Sequence, residues 1–527
     1  MHKTMIRGLA VAVGICVSLA LHANLSQRDR PNIILFLVDD MGWTDTSVPF
    51  GHQSVPNNWI YDTPNMQKLA DRGVRFSNAY AQSVCTPTRI SLITGMNSAR
   101  HRVTNWTQST TNRPTDAPYP GFQWPDWNYN GLATEAGISN TVVATPLPWL
   151  LRKAGYYTII VGKGHFAPYG VPASHPENIG FVESIASDAT GRPRSYLGTQ
   201  NFGNKVRNNY DGGVRGLEAY HGQDIFLTEA LTLEAQKAMD KALDLNTPFF
   251  LYLSHYAVHT PITADNRYFQ KYIDRGLDTV EARYASLVEG MDKSLGDVMD
   301  YLDDRQINEN TIILFMSDNG GLSLIPPRQG EPFQHNFPLR SGKGAVYEGG
   351  IREPMIAYWP GVTEPGTIAR QYIQAEDFFP TILELAGITN YTTRQYVDGI
   401  SFVPSLKKSA AYDDTRTLLW HFPSNWGQGI ETLQEHYPVL RVEDLGMGPS
   451  TAVRQGDWKL IYFYGTNHIE LYNLRDDISE TENLVNAYRG KAESLFDALI
   501  SALQEKDAQY PIASATGSPV YPKFTVK

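Results

Sequence analysis

Four short apolar runs, each breaking off into polar and chemically able residues, constrain this chain more than any other feature. Ile33 to Val38 runs into Asp39-Asp40, and Tyr157 to Val161 runs into Gly162-Lys163-Gly164-His165. Phe249 to Leu253 runs into Ser254-His255 with His259 close behind, and Thr311 to Met316 runs into Ser317-Asp318-Asn319-Gly320. Unbroken apolar runs of this length suit strands buried on both faces. Between them, Thr228 to Leu245 and Tyr284 to Asp304 carry apolar residues at i, i+3, i+4 spacing, the mark of helices. Strands alternating with helices imply an α/β fold, a large mostly parallel sheet sandwiched by helices. Such sheets bind ligands beyond the carboxyl ends of their strands. The expectation is therefore that Asp39, Asp40, Lys163, His165, His259, Asp318 and Asn319 reach one sheet edge.

The pattern changes after about residue 400. Asp377 to Gly387 reads as a helix closing the first unit, with Pro380 in its first turn and Gly387 past its end. A loop-rich stretch from Asn425 to Ser450 follows, then strand-like runs Thr451 to Tyr464 and Ile469 to Leu474, then a helix from Ala487 to Glu505. That predicts a main unit over 24–405 and a small C-terminal α+β subdomain over 406–527, with an antiparallel sheet. The spans 97–145 and 165–225 show no strand pattern and are long for plain connections, so they are expected to line a cleft.

At the N-terminus, Lys3 and Arg7 precede an apolar run from Leu9 to Leu21 and small residues suited to cleavage. Residues 1–23 read as a secretory signal peptide, too short for a comfortable membrane span. A periplasmic or secreted protein without a stable membrane anchor is expected. The chain has two cysteines, and Cys16 leaves with the leader, which excludes a disulfide scaffold or a multi-cysteine metal cluster. With 45 Lys+Arg against 55 Asp+Glu, the net charge of −10 argues against nucleic acid as the main partner. A hydrophobic content of 42% is enough for a sizeable core.

The remaining cysteine opens Cys85-Thr86-Pro87-Thr88-Arg89, followed by Ile90-Ser91-Leu92-Ile93-Thr94-Gly95. This looks like a helix start, with Thr86 able to cap, Pro87 in the first turn and Gly95 at the end. Cys85 then sits where backbone N–H groups and the helix dipole favour negative charge, with Arg89 one turn along. Two readings stay open on these residues alone: an activated thiolate nucleophile or a buried structural cysteine. Asp39, Asp40, Asp318 and Asn319 form an all-oxygen set that suits a hard cation such as calcium.

The run from Cys85 to Gly95 resembles the C-x-P-x-R…L-x-T-G signature of the formylglycine-dependent type I sulfatases, alkaline-phosphatase-like enzymes that include bacterial polysaccharide sulfatases. Thr88 stands where that family usually carries Ser or Ala. Further elements follow in the family's order: Asn32 to Asp40; Gly162-Lys163-Gly164-His165, with Gly164 for a Trp; Ala257-Val258-His259-Thr260-Pro261; and Ser317-Asp318-Asn319-Gly320. Leu339-Arg340-Ser341-Gly342-Lys343-Gly344, with Ser341 for Gly, leads to Glu348-Gly349-Gly350-Ile351-Arg352. Asp398-Gly399, Gly456-Asp457-Trp458-Lys459-Leu460 and Glu470 to Leu474 are similar to its C-terminal region.

The resemblance implies a sulfuric ester hydrolase whose residue 85 is converted from cysteine to formylglycine by a generating or maturase enzyme. It implies one bound Ca2+, held by Asp39, Asp40, Asp318, Asn319 and the modified residue 85. Arg89, Lys163 and Lys343 would hold sulfate oxygens, His165 would act as base and His259 as acid at the leaving oxygen. Arg100 and His101 are weaker candidates for the substrate rim, and His255 reads as structural. Loop aromatics Trp106, Trp124, Trp127 and Trp426 suggest a sulfated glycan substrate, with an algal galactan such as carrageenan as first choice. Two alternatives remain at this level: a phosphate or phosphonate monoester hydrolase on the same scaffold, and an inactive glycan-binding homologue.

Overall fold

The computed structural model describes residues 30–51, 53–204, 212–322, 334–426 and 443–525. The 1–23 leader with Cys16, and most of the loop-rich stretch before Ser450, lie outside them. The main sheet has eight strands: β1 (Asn32–Val38), β2 (Val74–Phe76), β3 (Tyr157–Gly162), β4 (Glu183–Ile185), β5 (Phe249–Ser254), β6 (Thr311–Ser317), β7 (Met355–Tyr358) and β8 (Thr367–Ala369). Their order is β8-β2-β7-β6-β1-β5-β3-β4. Only β7 runs antiparallel to its neighbours, so the sheet is mixed and mostly parallel, as the alternating pattern predicts.

Strand β1 shows why its apolar run has no polar alternation. Ile33, Leu35 and Leu37 point into one core with α2 (Cys85–Thr94) and its neighbours. Ile34, Phe36 and Val38 point into the other, against α1 (Pro64–Arg72), α3 (Leu227–Asp244) and α4 (Thr279–Asp304). A two-residue period with helices on both sides needs apolar residues at every position. Helix α5 (Phe378–Leu385) follows, and Gly387 beyond it takes the left-handed φ of 72° that a closing turn favours.

The C-terminal unit is a four-stranded antiparallel meander, β9 (Thr417–Phe422), β10 (Ser450–Gln455), β11 (Trp458–Phe463) and β12 (His468–Asn473), with helix α6 (Arg489–Glu505). One face packs Leu419, Val453 and Leu460 against Leu495, Leu499 and Leu503 of α6. Each of those leucines is worth about 1.5–3 kcal/mol of burial. The other face packs Trp420, Ala452 and Ile461 against Tyr80, Tyr347 and Ile351 of the main unit.

One expectation needs correction. The spans 97–145 and 165–225 are not strandless: they hold Phe122–Gln123, Leu132–Ala133, Val142–Val143 and the edge strand β4. Pairings of two or three residues are too short for alternation to register in a sequence.

Candidate active site

The four central strands β6, β1, β5 and β3 are parallel neighbours, so their carboxyl ends share one edge. Val38 pairs with Ser317 in register, which sets Asp39-Asp40 beside Asp318-Asn319. Asp40 and His165 take left-handed backbone conformations, φ 64° and 55°. Such values cost a non-glycine residue about 1–2 kcal/mol each and turn the side chain away from the strand direction.

The acids meet a matching set of bases. Lys163 Nζ lies 2.7 Å from Asp39 Oδ2, Lys343 Nζ 2.5 Å from Asp40 Oδ1, and Arg89 grips Asp318 Oδ2 through Nε and Nη2 at 2.9 and 2.7 Å. Asn319 Nδ2 donates to Asp40 Oδ1 at 2.8 Å. After these contacts Asp39 Oδ1, Asp40 Oδ2 and Asn319 Oδ1 remain buried without a hydrogen-bond partner among the described residues. His259 Nε2 stands 3.6 Å from Asp40 Oδ2, and one ligand atom each of Asp39, Asp40 and His259 falls within 4.8 Å of the others. Buried oxygens with no donor are costly unless a cation occupies the space between them. The donor set therefore fits a hard divalent ion.

The charges agree with that fit. Burial and the adjacent Asp318 push the Asp39 carboxyl well above the carboxylate range, Lys163 notwithstanding. Burial acts on Asp40 too, but His259, Lys343 and Lys163 outweigh it and hold that carboxyl well below the usual range.

Cys85 is the first residue of α2 rather than one preceding its cap. Val84 occupies the cap position and the Thr86 hydroxyl does not cap. It accepts from Thr107 N at 3.1 Å and lies 3.3 Å from His165 Nδ1 instead. Thr88 Oγ1 accepts from Gln82 N at 2.9 Å and donates to the Val84 carbonyl at 3.3 Å, tying down the turn before Cys85.

His165 Nδ1 sits 3.6 Å from Cys85 Sγ, and its Nε2 lies 2.9 Å from the Thr107 carbonyl. A carbonyl only accepts, so Nε2 carries the hydrogen and Nδ1 faces residue 85 with its lone pair. Burial, and then the charge of Lys163, drive the imidazolium form well below the ordinary range. The Thr107 carbonyl left no mark in the sequence. His259 is pushed down to about 3, chiefly by burial, and Nδ1 donates to the Thr260 carbonyl at 3.0 Å. Its Nε2 lone pair therefore points toward the acid cluster, where it adds a nitrogen to the ligand atoms of Asp39 and Asp40.

A cleft of about 550 Å3 opens over this edge, lined among others by Cys85, His165, His259, Lys343, Trp106 and Trp426. Arg89 and Lys163 are fully buried beneath it. The Arg89 Nη1 atom contacts the Lys163 carbonyl and Ser254 Oγ, so the guanidinium is engaged within the protein. Trp124 and Trp127 are corrections to the aromatic set. Trp127 is buried, its Nε1 donating to Asp116, and Trp124 lies in a separate hollow with Tyr510 and Tyr521.

Arg100 and His101 also fall outside the cleft. The short helix Ser98–His101 turns back behind α2, where Arg100 pairs with Asp398 and a buried His101 contacts Ser91 Oγ. His255 is buried with Nε2 2.8 Å from Ser294 Oγ. The Gly164 departure has a visible cause: a Cβ there would lie 2.7 Å from Ser187 Oγ, because the loop following β4 closes over it.

Residues 31–388 match the family model described as Sulfatase, and 341–509 that described as N-sulphoglucosamine sulphohydrolase, C-terminal. Human N-acetylgalactosamine-6-sulfatase is 33% identical over 394 residues, covering 73% of this chain and 67% of the relative. A sulfatase of Formosa agariphila is 28% identical over 519 residues, covering 90% and 88%. Among solved structures, Ps i-CgsB in complex with k-i-k-neocarrahexaose superposes with a TM-score of 0.69 at 25% identity, covering 90% of this chain and 93% of that one.

Proposed function

The chain belongs to the sulfatase family and hydrolyses sulfate esters; from that premise we propose that its substrate is a sulfated carbohydrate. The observation that carries the reading is the convergence, under and along the floor of one cleft, of three ligand oxygens without a hydrogen-bond partner among the described residues, a neutral His165 facing residue 85, and Lys343. Trp106 and Trp426 on its wall suit the apolar faces of a sugar. A carrageenan-type galactan is the first substrate to test, since a structural neighbour was solved with k-i-k-neocarrahexaose.

Asp39, Asp40, Asp318 and Asn319 would hold Ca2+, with the modified side chain at 85 as a further ligand, and the ion would supply Lewis-acid neutralisation of sulfate charge. Formylglycine at 85, made from Cys85 by a maturase, would supply the nucleophilic oxygen. The remaining duties fall to the chain's own groups. His165 Nδ1 takes a proton at residue 85, because Nε2 is committed to the Thr107 carbonyl. Lys343 reaches the cleft and binds sulfate oxygens, while Lys163 and Arg89 act from below by fixing Asp39 and Asp318. His259 stands beside the leaving oxygen.

Export to the periplasm or beyond is part of the proposal; among the described residues no helix is long and apolar enough to cross a membrane. The test is sulfate release from carrageenan and glycosaminoglycan oligosaccharides, with matched phosphate esters alongside. Mass analysis of the residue-85 peptide is expected to show the aldehyde, and Cys85→Ala to cost at least about 10⁴-fold in rate. Faster phosphate turnover, or full activity with an unmodified thiol, would overturn the reading.

A further inference from the structure

The cations near the reaction centre are matched by acids: Lys163 with Asp39, Lys343 with Asp40, Arg89 with Asp318. One cation on the cleft wall is not. Arg192 lines the cleft, is exposed, and makes no ion pair or hydrogen bond among the described residues. Nearby Arg215, by contrast, lies 3.9 Å from Asp188 and stacks on the Tyr169 ring at 4.8 Å.

Arg192 is held close to the chemistry by its own loop. Gly191 approaches the His165 ring so closely that a Cβ would lie 2.7 Å from Cε1 and 2.8 Å from Nε2. The loop is pinned there by His165 N donating to the Asp188 carbonyl at 2.9 Å and by Thr190 N donating to Asp188 Oδ1 at 2.7 Å. Glycine at 164 leaves the room it occupies. The next residue, one Cα step of about 3.8 Å further, is Arg192. Trp106 and Trp426 line the same cleft, and their buried indole N–H groups have no hydrogen-bond partner among the described residues. Trp426 is fixed by packing on Gly344, next to Lys343, where a Cβ would strike its ring at 2.6 Å.

We propose that the cleft contains a second anion subsite built on Arg192, and that the substrate sugar carries a second anionic group beside the sulfate ester that is cleaved. The inference rests on the sulfatase reading and narrows its substrate class. A guanidinium presents a planar pair of N–H donors that fits either a sulfate ester or a uronate carboxylate. An acidic protein with an arginine on its cleft wall that no acid matches among the described residues selects for a polyanion at that point.

The test uses the full chain in a Cys85→Ala background, where binding is measured without turnover. Galactose 6-sulfate offers one anion. Galactose 2,6-disulfate adds a sulfate, and glucuronate linked to N-acetylgalactosamine 6-sulfate adds a carboxylate. Calorimetry should show Arg192→Gln weakening a two-anion ligand about tenfold while changing the one-anion ligand less than about twofold, with Arg192→Lys between. Whether the disulfate or the uronate suffers the loss identifies the second anion. An equal effect on all three ligands, or none, overturns the subsite. Sulfate release by the active chain is scored separately, so failure of the sulfatase reading and failure of the subsite give different results.

Discussion

Two buried charge clusters in this molecule are built from the same residue types and end in opposite states. In the first, at the edge of the main sheet, Asp39, Asp40 and Asp318 meet Lys163, Lys343 and Arg89. In the second, where the C-terminal sheet docks, Lys459 Nζ lies between Glu348 Oε1 at 2.9 Å and Glu480 Oε1 at 2.8 Å. Glu348 Oε2 takes Arg352 at 2.6 Å and Tyr80 at 2.8 Å, and Glu480 Oε2 accepts from Glu348 N at 2.6 Å. Both Glu348 oxygens are satisfied, and although burial opposes it, Lys459, Arg352 and Arg454 hold this carboxyl well below the usual range. In this second cluster only Glu480 Oε1 lacks a hydrogen-bond donor among the described residues, and it has the Lys459 ammonium at 2.8 Å, whereas the sheet-edge cluster keeps three oxygens without donors. Buried ion pairs contribute to stability only when every group is satisfied. A closed cluster is therefore a joint between units, and an open one is a place for a ligand.

The largest effect expected from this contrast is on activity. Asp40→Asn removes charge from the open cluster and should lower kcat/KM for sulfate release about a thousandfold. A loss below tenfold would break the contrast. In the closed cluster, Lys459→Met removes the ammonium that Glu348 and Glu480 share and should cost about 3–5 kcal/mol in urea unfolding, with the activity of the folded fraction changed only a few-fold. If unfolding were unaffected, the joint would be no joint. Chelation divides the two further. EDTA should reduce activity at least about tenfold and lower the melting temperature, with Ca2+ restoring both. Lys459→Met should keep that response and Asn319→Ala should lose most of it.

Much of the first cluster was legible in the sequence, and little of the second. Asp39-Asp40 and Asp318-Asn319 end long apolar strands, and parallel register brings such ends together whatever the loops do. His165 follows the same strand-end logic, whereas Lys343 is legible only through motif resemblance. The Thr107 carbonyl and the Gly191 approach had no signal, because backbone atoms and loop closures are specified by the whole chain rather than by a local pattern. Glu348 and Lys459 were visible as two separate motifs, but nothing in their spacing of 111 residues said that they touch. The loop aromatics divided: Trp106 and Trp426 reached the cleft, while Trp127 went into the core. An aromatic in a long loop serves either end equally well until the loop is folded.

A third buried carboxylate sharpens the rule by supplying an orphan oxygen without a site. Glu376 Oε1 accepts from Asn97 Nδ2 at 2.7 Å, and Oε2 has no partner. Among the described residues no ammonium or guanidinium forms an ion pair with it, Arg416 being engaged by Asp377, and burial beside Asp377 pushes its carboxyl up to about 7. An isolated orphan of this kind belongs to a neutral acid, whereas the convergent orphans at the sheet edge include an ionised Asp40. The pH dependence follows from the sign of the shift. Below the ordinary 4.5 both folded and unfolded chains hold the proton, and Glu376 imposes no ionisation penalty. As pH rises from 4.5 to about 7 the unfolded chain releases its proton first, so stability falls across that window and stays lower above it. Glu376→Gln keeps an acceptor for Asn97 and cannot ionise. It should match the parent near pH 4.5 and exceed it by about 1–2 kcal/mol at pH 8 in urea unfolding. A difference that is constant with pH would mean that Glu376 is ionised in the fold, and that one orphan oxygen suffices to mark a cation site.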